Sequence, residues 1–252
     1  EGLNVCILTR LNKIKRTALT EFKQVALTKR PLRAAKLLSK DDRLVDVCIS
    51  SGNSDLIVVD ELGRCSRFNE SDVPLVSTSA MGVKAIASGI ENSPLVSLIS
   101  LHSKEVCLLL VLGNKRACRL ISSSKIDTTE RLSAKTPLIK VLKKNPWKIV
   151  NVSKTEKVKG QPNFVCITTL DSMVALDINA LSPVETNSEL RENLPSLGKL
   201  DVIGYDSMGE GVFSSTLVEE PKSAKTETAK AKKDDADTQL SLFDLFERDS
   251  KK

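Results

Sequence analysis

The chain has 252 residues, 40% of them hydrophobic, enough for a sizeable buried core and too many for a disordered protein. Aromatic residues are only 3%, so the core is built from Leu, Ile, Val and Ala and few rings remain for stacking on unpaired bases. The net charge of +6 favours an acidic partner, and no apolar run is long enough to read as a membrane span or an export signal.

From the N-terminus, NVCILTRLNKIKRTALTEF reads as an apolar strand, a turn at Asn12 and a second strand of alternating type. PLRAAKLL and RLVDVCIS follow as two further strand candidates. The pattern returns in DLIVVDELGRCSRFNESDV with its turn at Gly63, aligning Arg16 with Arg67 at an offset of 51, and MGVKAIAS and PLVSLISL follow it. A third copy, VCLLLVLGNKRACRLISSSKI, has its turn at Asn114, sets Arg119 against Arg67 at an offset of 52, and is followed by PLIKVLKK and WKIVNVS. The fourth, NFVCITTLDSMVALDINAL, keeps the strand and a turn at Asp171, loses the basic side chains, and is followed by LGKLDVIGY. Four strands in each unit of roughly fifty residues predict an all-β fold of radially stacked blades, about 1–51, 52–103, 104–159 and 160–217. Residues 218–238 are too polar to fold alone and read as a disordered linker before a short motif or helix at 239–252. Because the chain opens at Glu1, directly before a strand, it reads as a piece of something longer.

Six cysteines lie far apart with no CxxC pair, and His102 is the single histidine, so a metal site is not expected. Most of the cysteines sit in apolar runs such as VCIL and NFVCI, as reduced, buried thiols in a cytoplasmic protein would.

The repeats TRLNKIKRTALTEF and GRCSRFNESDVP, the latter followed by AMGVKAI, closely resemble the blade repeats in the C-terminal domain of bacterial type IIA topoisomerase A subunits, the family of DNA gyrase and topoisomerase IV. The resemblance covers about 215 residues and is strongest in the second unit. It implies a propeller-like β-pinwheel whose blades exchange strands with their neighbours. It also implies a non-catalytic module: the nucleophilic tyrosine, the metal-binding module and the ATPase lie elsewhere in the holoenzyme. No cofactor is then expected in this domain, ATP and magnesium serving the holoenzyme. Tyr205, in IGYDS, lacks the arginine and acidic cluster of a phosphotyrosyl site and reads as a strand residue. The Gln-Arg-Arg-Gly-Gly-Lys-Gly box of gyrase is absent, so the pattern stands closer to topoisomerase IV of Gram-positive type. A gyrase fragment without its first blade is the alternative, since family members carry five or six blades and four are visible here.

Charge is distributed unevenly: +6 over residues 1–50, −3 over 51–103, +10 over 104–159 and −6 over 160–217. Clustered cations bind duplex phosphates and release counterions without reading sequence. The candidate DNA contacts are therefore Arg10, Lys13, Lys15 and Arg16 in the first hairpin, and Lys29, Arg30 and Arg33 after it. Arg64, Arg67 and Lys84 follow in the second unit, and Lys115, Arg116, Arg119, Lys135, Lys140, Lys143 and Lys144 in the third. Arg16, Arg67 and Arg119 are expected at equivalent places on an outer hairpin strand. DNA bent along such a rim draws its deformation energy from electrostatic contacts.

Near the C-terminus, Gln239, Leu240, Ser241, Leu242 and Phe243 resemble the pentapeptide by which bacterial replication proteins dock on the sliding clamp, with Gln239, Leu240, Leu242 and Phe243 as the docking residues. Leu242, Leu245 and Phe246 also form an i, i+3, i+4 stripe that could pack back on the blades, and an unemployed tail is the third reading. The expected partners are duplex DNA, the catalytic core of the same polypeptide, the B subunit of topoisomerase IV and, through the tail, the clamp, with no membrane role. A propeller-type protein-interaction module is the rival function. An enzyme in its own right is the least supported, for there is no phosphate-cradling Gly loop and no nucleophile with a partnered histidine.

Overall fold

In the computed structural model, residues 2–191 are described apart from 29, 88–92, 103–104, 115–116, 134, 158, 160–162 and 169–172, and residues 204–207 are described beyond them. The strands are β1 (Asn4–Thr9), β2 (Lys13–Ala18), β3 (Leu44–Ser50), β4 (Asp55–Asp60), β5 (Arg64–Asn69), β6 (Val83–Lys84), β7 (Leu95–Leu101) and β8 (Leu108–Gly113). They continue as β9 (Ala117–Ser122), β10 (Thr136–Pro137), β11 (Ile149–Thr155), β12 (Phe164–Thr168), β13 (Met173–Asp177), β14 (Pro183–Val184) and β15 (Gly204–Ser207). They form four sheets, ordered β3-β1-β2-β6, β10-β5-β4-β7, β11-β8-β9-β14 and β13-β12-β15.

That order departs from four consecutive strands per blade, and the departure is strand exchange. The hairpins β1–β2, β4–β5 and β8–β9 form as expected, each joined on its inner side by its own unit's last strand, β3, β7 or β11. The fourth strand comes from the following unit. MGVKAIAS and PLIKVLKK, expected as full strands, supply only two residues and one: β6 pairs with β2 of the first blade, and β10, Thr136 with Pro137, pairs with β5 of the second. PLRAAKLL forms no strand at all. The fourth unit adds β14, parallel to β9. Of LGKLDVIGY only Gly204 and Tyr205 are described, at the start of β15, with Tyr205 opposite Ile167 on β12.

Crossing to the preceding blade begins from a 3-10 turn after each hairpin. In units two, three and four its first amide donor is capped by a side chain, Asn69, Ser122 or Asp177, accepting from the backbone N–H two residues on. The chain then runs parallel to the hairpin strand it has reached, with Leu75 beside Arg16, Thr128 beside Arg67, and β14 beside β9. Unit one has Ala18 at the cap position, which offers no acceptor, and its turn leads instead into a short helix α1 (Lys23–Thr28), an element the sequence pattern does not announce.

Consecutive sheets pack face to face, and alternation within the central strands divides the core between them. On β4, Leu56 and Val58 face the first blade while Ile57 and Val59 face the third. On β8, Leu109 and Val111 meet the second blade while Leu110 and Leu112 meet the fourth. Strands buried on both faces read as unbroken apolar runs, as VCIL, LIVV and LLLVL do. Two positions at the exchange need left-handed backbone. Gly63 (φ 76°) ends the second hairpin turn where an added Cβ would stand 2.6 Å from Ile139 Cγ1, and Gly82 (φ 90°) passes so close to the Ile14 carbonyl that a Cβ has no room.

All six cysteines are free thiols. No helix among the described residues is long and apolar enough to cross a membrane. Residues 218–252, and with them the linker and the docking residues Gln239, Leu240, Leu242 and Phe243, lie outside the described residues.

Candidate nucleic-acid interface

The basic residues picked out by the repeats separate into two groups. Counting from each hairpin, Leu8 pairs with Ile14, Val59 with Cys65 and Leu112 with Cys118. Arg16 and Arg67 therefore share a register position, but Leu120 occupies it in the third blade. Arg119 falls instead in line with Lys15 and Ser66, one residue out of step with the expected equivalence and on the opposite face of the sheet. The expected equivalence fails because the third hairpin is offset from the second by 53 residues at these pairs.

Both positions point into the blade junctions. Lys15 is 1% exposed, and its Nζ donates to the carbonyls of Ala34 (2.8 Å), Ser77 (2.8 Å), Thr78 (2.6 Å) and Ala80 (3.4 Å), three of them on the segment arriving from unit two. Burial pushes the ammonium pKa down, partly offset by Glu21. Arg119 does the same for unit four, donating through Nη1 to Ser188 O (2.9 Å) and Oγ (2.7 Å) and through Nη2 to Glu189 O. These cations are hooks on the exchanged segment, with no free face to offer phosphate.

Arg16 donates from Nε to Val73 O at 3.1 Å, and its Nη1 is 3.5 Å from Glu70 Oε2. Arg67 donates to the carbonyls of Ser123 (3.1 Å) and Ile126 (3.3 Å) and pairs with Asp55 at 2.8 Å. Each thereby ties a hairpin to the 3-10 turn of the next unit. Arg64 donates to buried Asp60 at 2.8 Å, with Lys135 at 3.8 Å on the same oxygen. All six residues, Lys15, Arg16, Arg64, Arg67, Arg119 and Lys135, are thus members of internal networks in this structure. Sequence alone could not separate them from the rest, because a hook and a phosphate contact both need a long cation.

Buried Glu70 anchors the first junction. It accepts from Ser50 Oγ (2.6 Å), Ser54 N (2.7 Å) and Asn4 Nδ2 (3.1 Å) as well as facing Arg16. Burial acts to raise its pKa, but these donors and Arg16 outweigh burial and hold the carboxyl below its ordinary value. The repeat pattern does not single out Glu70; its place at the start of a capped turn was the available signal.

On the inner side, the edge strands are stitched by side chains from the preceding blade. Asp46 on β3 accepts from Leu98 N on β7, and Ser97 on β7 accepts from Val152 N on β11, both at 2.8 Å. Burial raises the Asp46 pKa, and the amides of Leu98 and Val47 act against it.

The second group lies on the exchange side. Lys13 stands opposite Lys84 where β2 meets β6, and Lys140, Lys143 and Lys144 follow β10 on exposed chain. None of these five is paired with a carboxylate among the described residues. Arg30 and Arg33 are exposed in the stretch after α1 and Arg10 is half-buried at the first turn, while Lys29, Lys115 and Arg116 lie outside the described residues. Lys36, Lys40 and Arg43, which the repeat comparison did not single out, are exposed in the same stretch as Arg33.

A fold of strand-exchanging four-stranded blades with consecutive cores defines a β-pinwheel, the class seen in C-terminal domains of topoisomerase A subunits. The chain superposes on the crystal structure of the C-terminal domain of DNA topoisomerase IV with a TM-score of 0.70 at 22% identity, covering 81% of this chain and 61% of that one. Its homologues are the A subunits of DNA topoisomerase IV and DNA gyrase. It is 29% identical over 142 residues to the A subunit of DNA topoisomerase 4 from Bacillus subtilis, covering 56% of this chain and 17% of that protein. It is 26% identical over 220 residues to the A subunit of DNA gyrase from Salmonella typhimurium, covering 86% and 24% respectively. The chain thus spans a quarter or less of the length of these relatives. No protein-family model matches it.

Proposed function

We propose that this chain is a non-catalytic DNA-binding and DNA-bending module of a topoisomerase IV A subunit, which orients a duplex segment for ATP-dependent strand passage by the catalytic core and the B subunit. The observation that carries the reading is the division of cations: hooks are consumed inside the junctions, while Lys13, Lys84, Lys140, Lys143 and Lys144 remain without carboxylate partners on the exchange side. Such lysines attract phosphate as point charges and carry no sequence information. The topoisomerase relatives support the partner class, and the missing Gln-Arg-Arg-Gly-Gly-Lys-Gly box favours bending over tight wrapping. The setting is the bacterial cytoplasm, on the nucleoid. Clamp docking through Gln239, Leu240, Leu242 and Phe243 is a further element of the proposal, tested by loss of clamp binding on Phe243→Ala.

The decisive experiment measures duplex binding against salt for unrelated sequences. The proposal expects affinity that falls steeply with salt and is the same for all of them. A chain that ignores duplex DNA at low salt is instead a protein-interaction module.

A further inference from the structure

Cys6 on β1 and Cys48 on β3 are direct cross-strand partners, the only cysteines so placed in any described strand pairing. Antiparallel partners have Cα atoms about 4.5–5.5 Å apart, within the range of about 4.4–6.8 Å that a disulfide spans. Both side chains lie on the face turned to the second blade, where Cys6 is fully buried and Cys48 packs against the same core from a partly exposed position. The two cysteines face each other across the β1–β3 pairing, and Ser50 Oγ lies 3.4 Å from the Cys6 sulfur. Cys48 also lines a groove of about 380 Å³ that crosses the inner strands, bordered by Asp46, Leu98, Ser100 and Ser153. Cys48 is therefore the one of the two thiols that borders open space.

From this arrangement we infer that Cys6 and Cys48 form an oxidative modification site, closing to a reversible cross-strand disulfide in the presence of a hydroperoxide such as hydrogen peroxide. Cys48, the sulfur that meets the groove, takes oxygen from the peroxide to become a sulfenic acid, and the peroxide leaves as water. The Cys6 sulfur then attacks that of Cys48, forming the S–S bond as the S–OH bond breaks and a second water departs. Two thiols and one peroxide give one disulfide and two waters, so atoms and electrons balance. The electrostatics favour the second step, while access from the groove assigns the first to Cys48. Cys6 is held below the ordinary thiol value, first by the hydrogen bond from Cys48 and then by Ser50 and Arg16 against the effect of burial, so it is the better attacking thiolate. Cys48 is pushed up by its interaction with Cys6, by burial and by Asp46 and Glu70, so it is mainly the protonated thiol and its oxidation is the slower step.

Closure would fix β3, and with it Asp46 and Ser50, to the centre of the first blade. Those two side chains reach the second blade through Leu98 N and Glu70, so oxidation stiffens the first junction. The inference stands independently of the DNA-binding proposal.

The test exposes the folded 252-residue chain to hydrogen peroxide, blocks remaining thiols by alkylation, and maps tryptic peptides by mass. The expected product joins residues 1–10 to residues 44–64 with loss of two hydrogens, separates on treatment with dithiothreitol, and raises the thermal midpoint of the chain. Cys48→Ser should abolish the joined peptide, and Cys107→Ser should leave it intact. Sulfinic or sulfonic acid on Cys48 with Cys6 still alkylatable would overturn the inference, as would intact Cys6 and Cys48 under conditions that oxidise Cys107. Mapping of the unsubstituted chain decides the matter even if a variant fails to fold.

Discussion

Lys15 and Lys84 lie on neighbouring strands of one sheet, two residues apart in register, and obey opposite rules. Lys15 is sealed among four carbonyl oxygens, so its charge belongs to the fold; Lys84 is exposed on the exchanged strand, so its charge belongs to the solvent or to a partner. A cation's contribution depends on what it desolvates against, and a buried ammonium with a complete set of acceptors is costly to remove because the acceptors remain behind. The same logic separates Arg119 from Lys140. Positive charge in this chain therefore has two separate fates, cohesion between repeats and exposure to solvent, and composition adds them together.

The contrast can be broken most forcefully from the junction side. Gly82→Ala forces a side chain against the Ile14 carbonyl at a left-handed backbone position, and should destabilise by roughly 3 kcal/mol or more, read as a lower denaturation midpoint. Lys15→Met removes the ammonium but keeps much of the stem. It should cost about 3 kcal/mol by stranding the carbonyls of Ser77 and Thr78, while the slope of DNA affinity against salt stays unchanged in the folded protein.

Glu70→Gln should cost about 2 kcal/mol, because Arg16 loses its carboxylate and the hydroxyl of Ser50 a charged acceptor. The pH dependence has a defined sign. Glu70 is held below its ordinary value of 4.5 in the folded state, so its stabilisation is fully present above that value. It is lost as pH falls through the lower folded value, and the Gln variant should flatten the acid limb of a stability-versus-pH curve.

From the surface side, Lys84, Lys140, Lys143 and Lys144 changed together to Ala should alter stability by about 0.5 kcal/mol or less. The same variant should lower the salt slope of duplex binding by about one unit per lysine. An unchanged slope would mean that the exposed lysines do not meet phosphate, and would move the interface elsewhere.

Much of the fold was legible because period-two alternation and turn residues are local. The hairpins at Asn12 and Gly63, the inner strands RLVDVCIS, PLVSLISL and WKIVNVS, and the fifty-residue spacing all come from neighbours in sequence. What escaped was non-local. The segments MGVKAIAS and PLIKVLKK look like strands, but the partner that decides how much of them becomes strand is a hairpin roughly seventy residues earlier. Unit one, with Ala18 where the other units place a capping side chain, turned helical at Lys23–Thr28 instead. The candidate site was legible as a set of cations and not as a division among them. Arg16 and Lys84 differ only in whether a backbone carbonyl from another unit lies within reach, and no periodicity records that.

Borrowed edge strands set the smallest piece of this molecule that can fold by itself. A single fifty-residue unit cut out of the chain would leave its β2-type edge bare and its own donated segment without a host, so two losses accompany every cut. Successive units should melt together as one cooperative block instead of peeling away one at a time, and a proteolytic nick between Val83 and its own hairpin would weaken the blade before it as much as the blade it comes from.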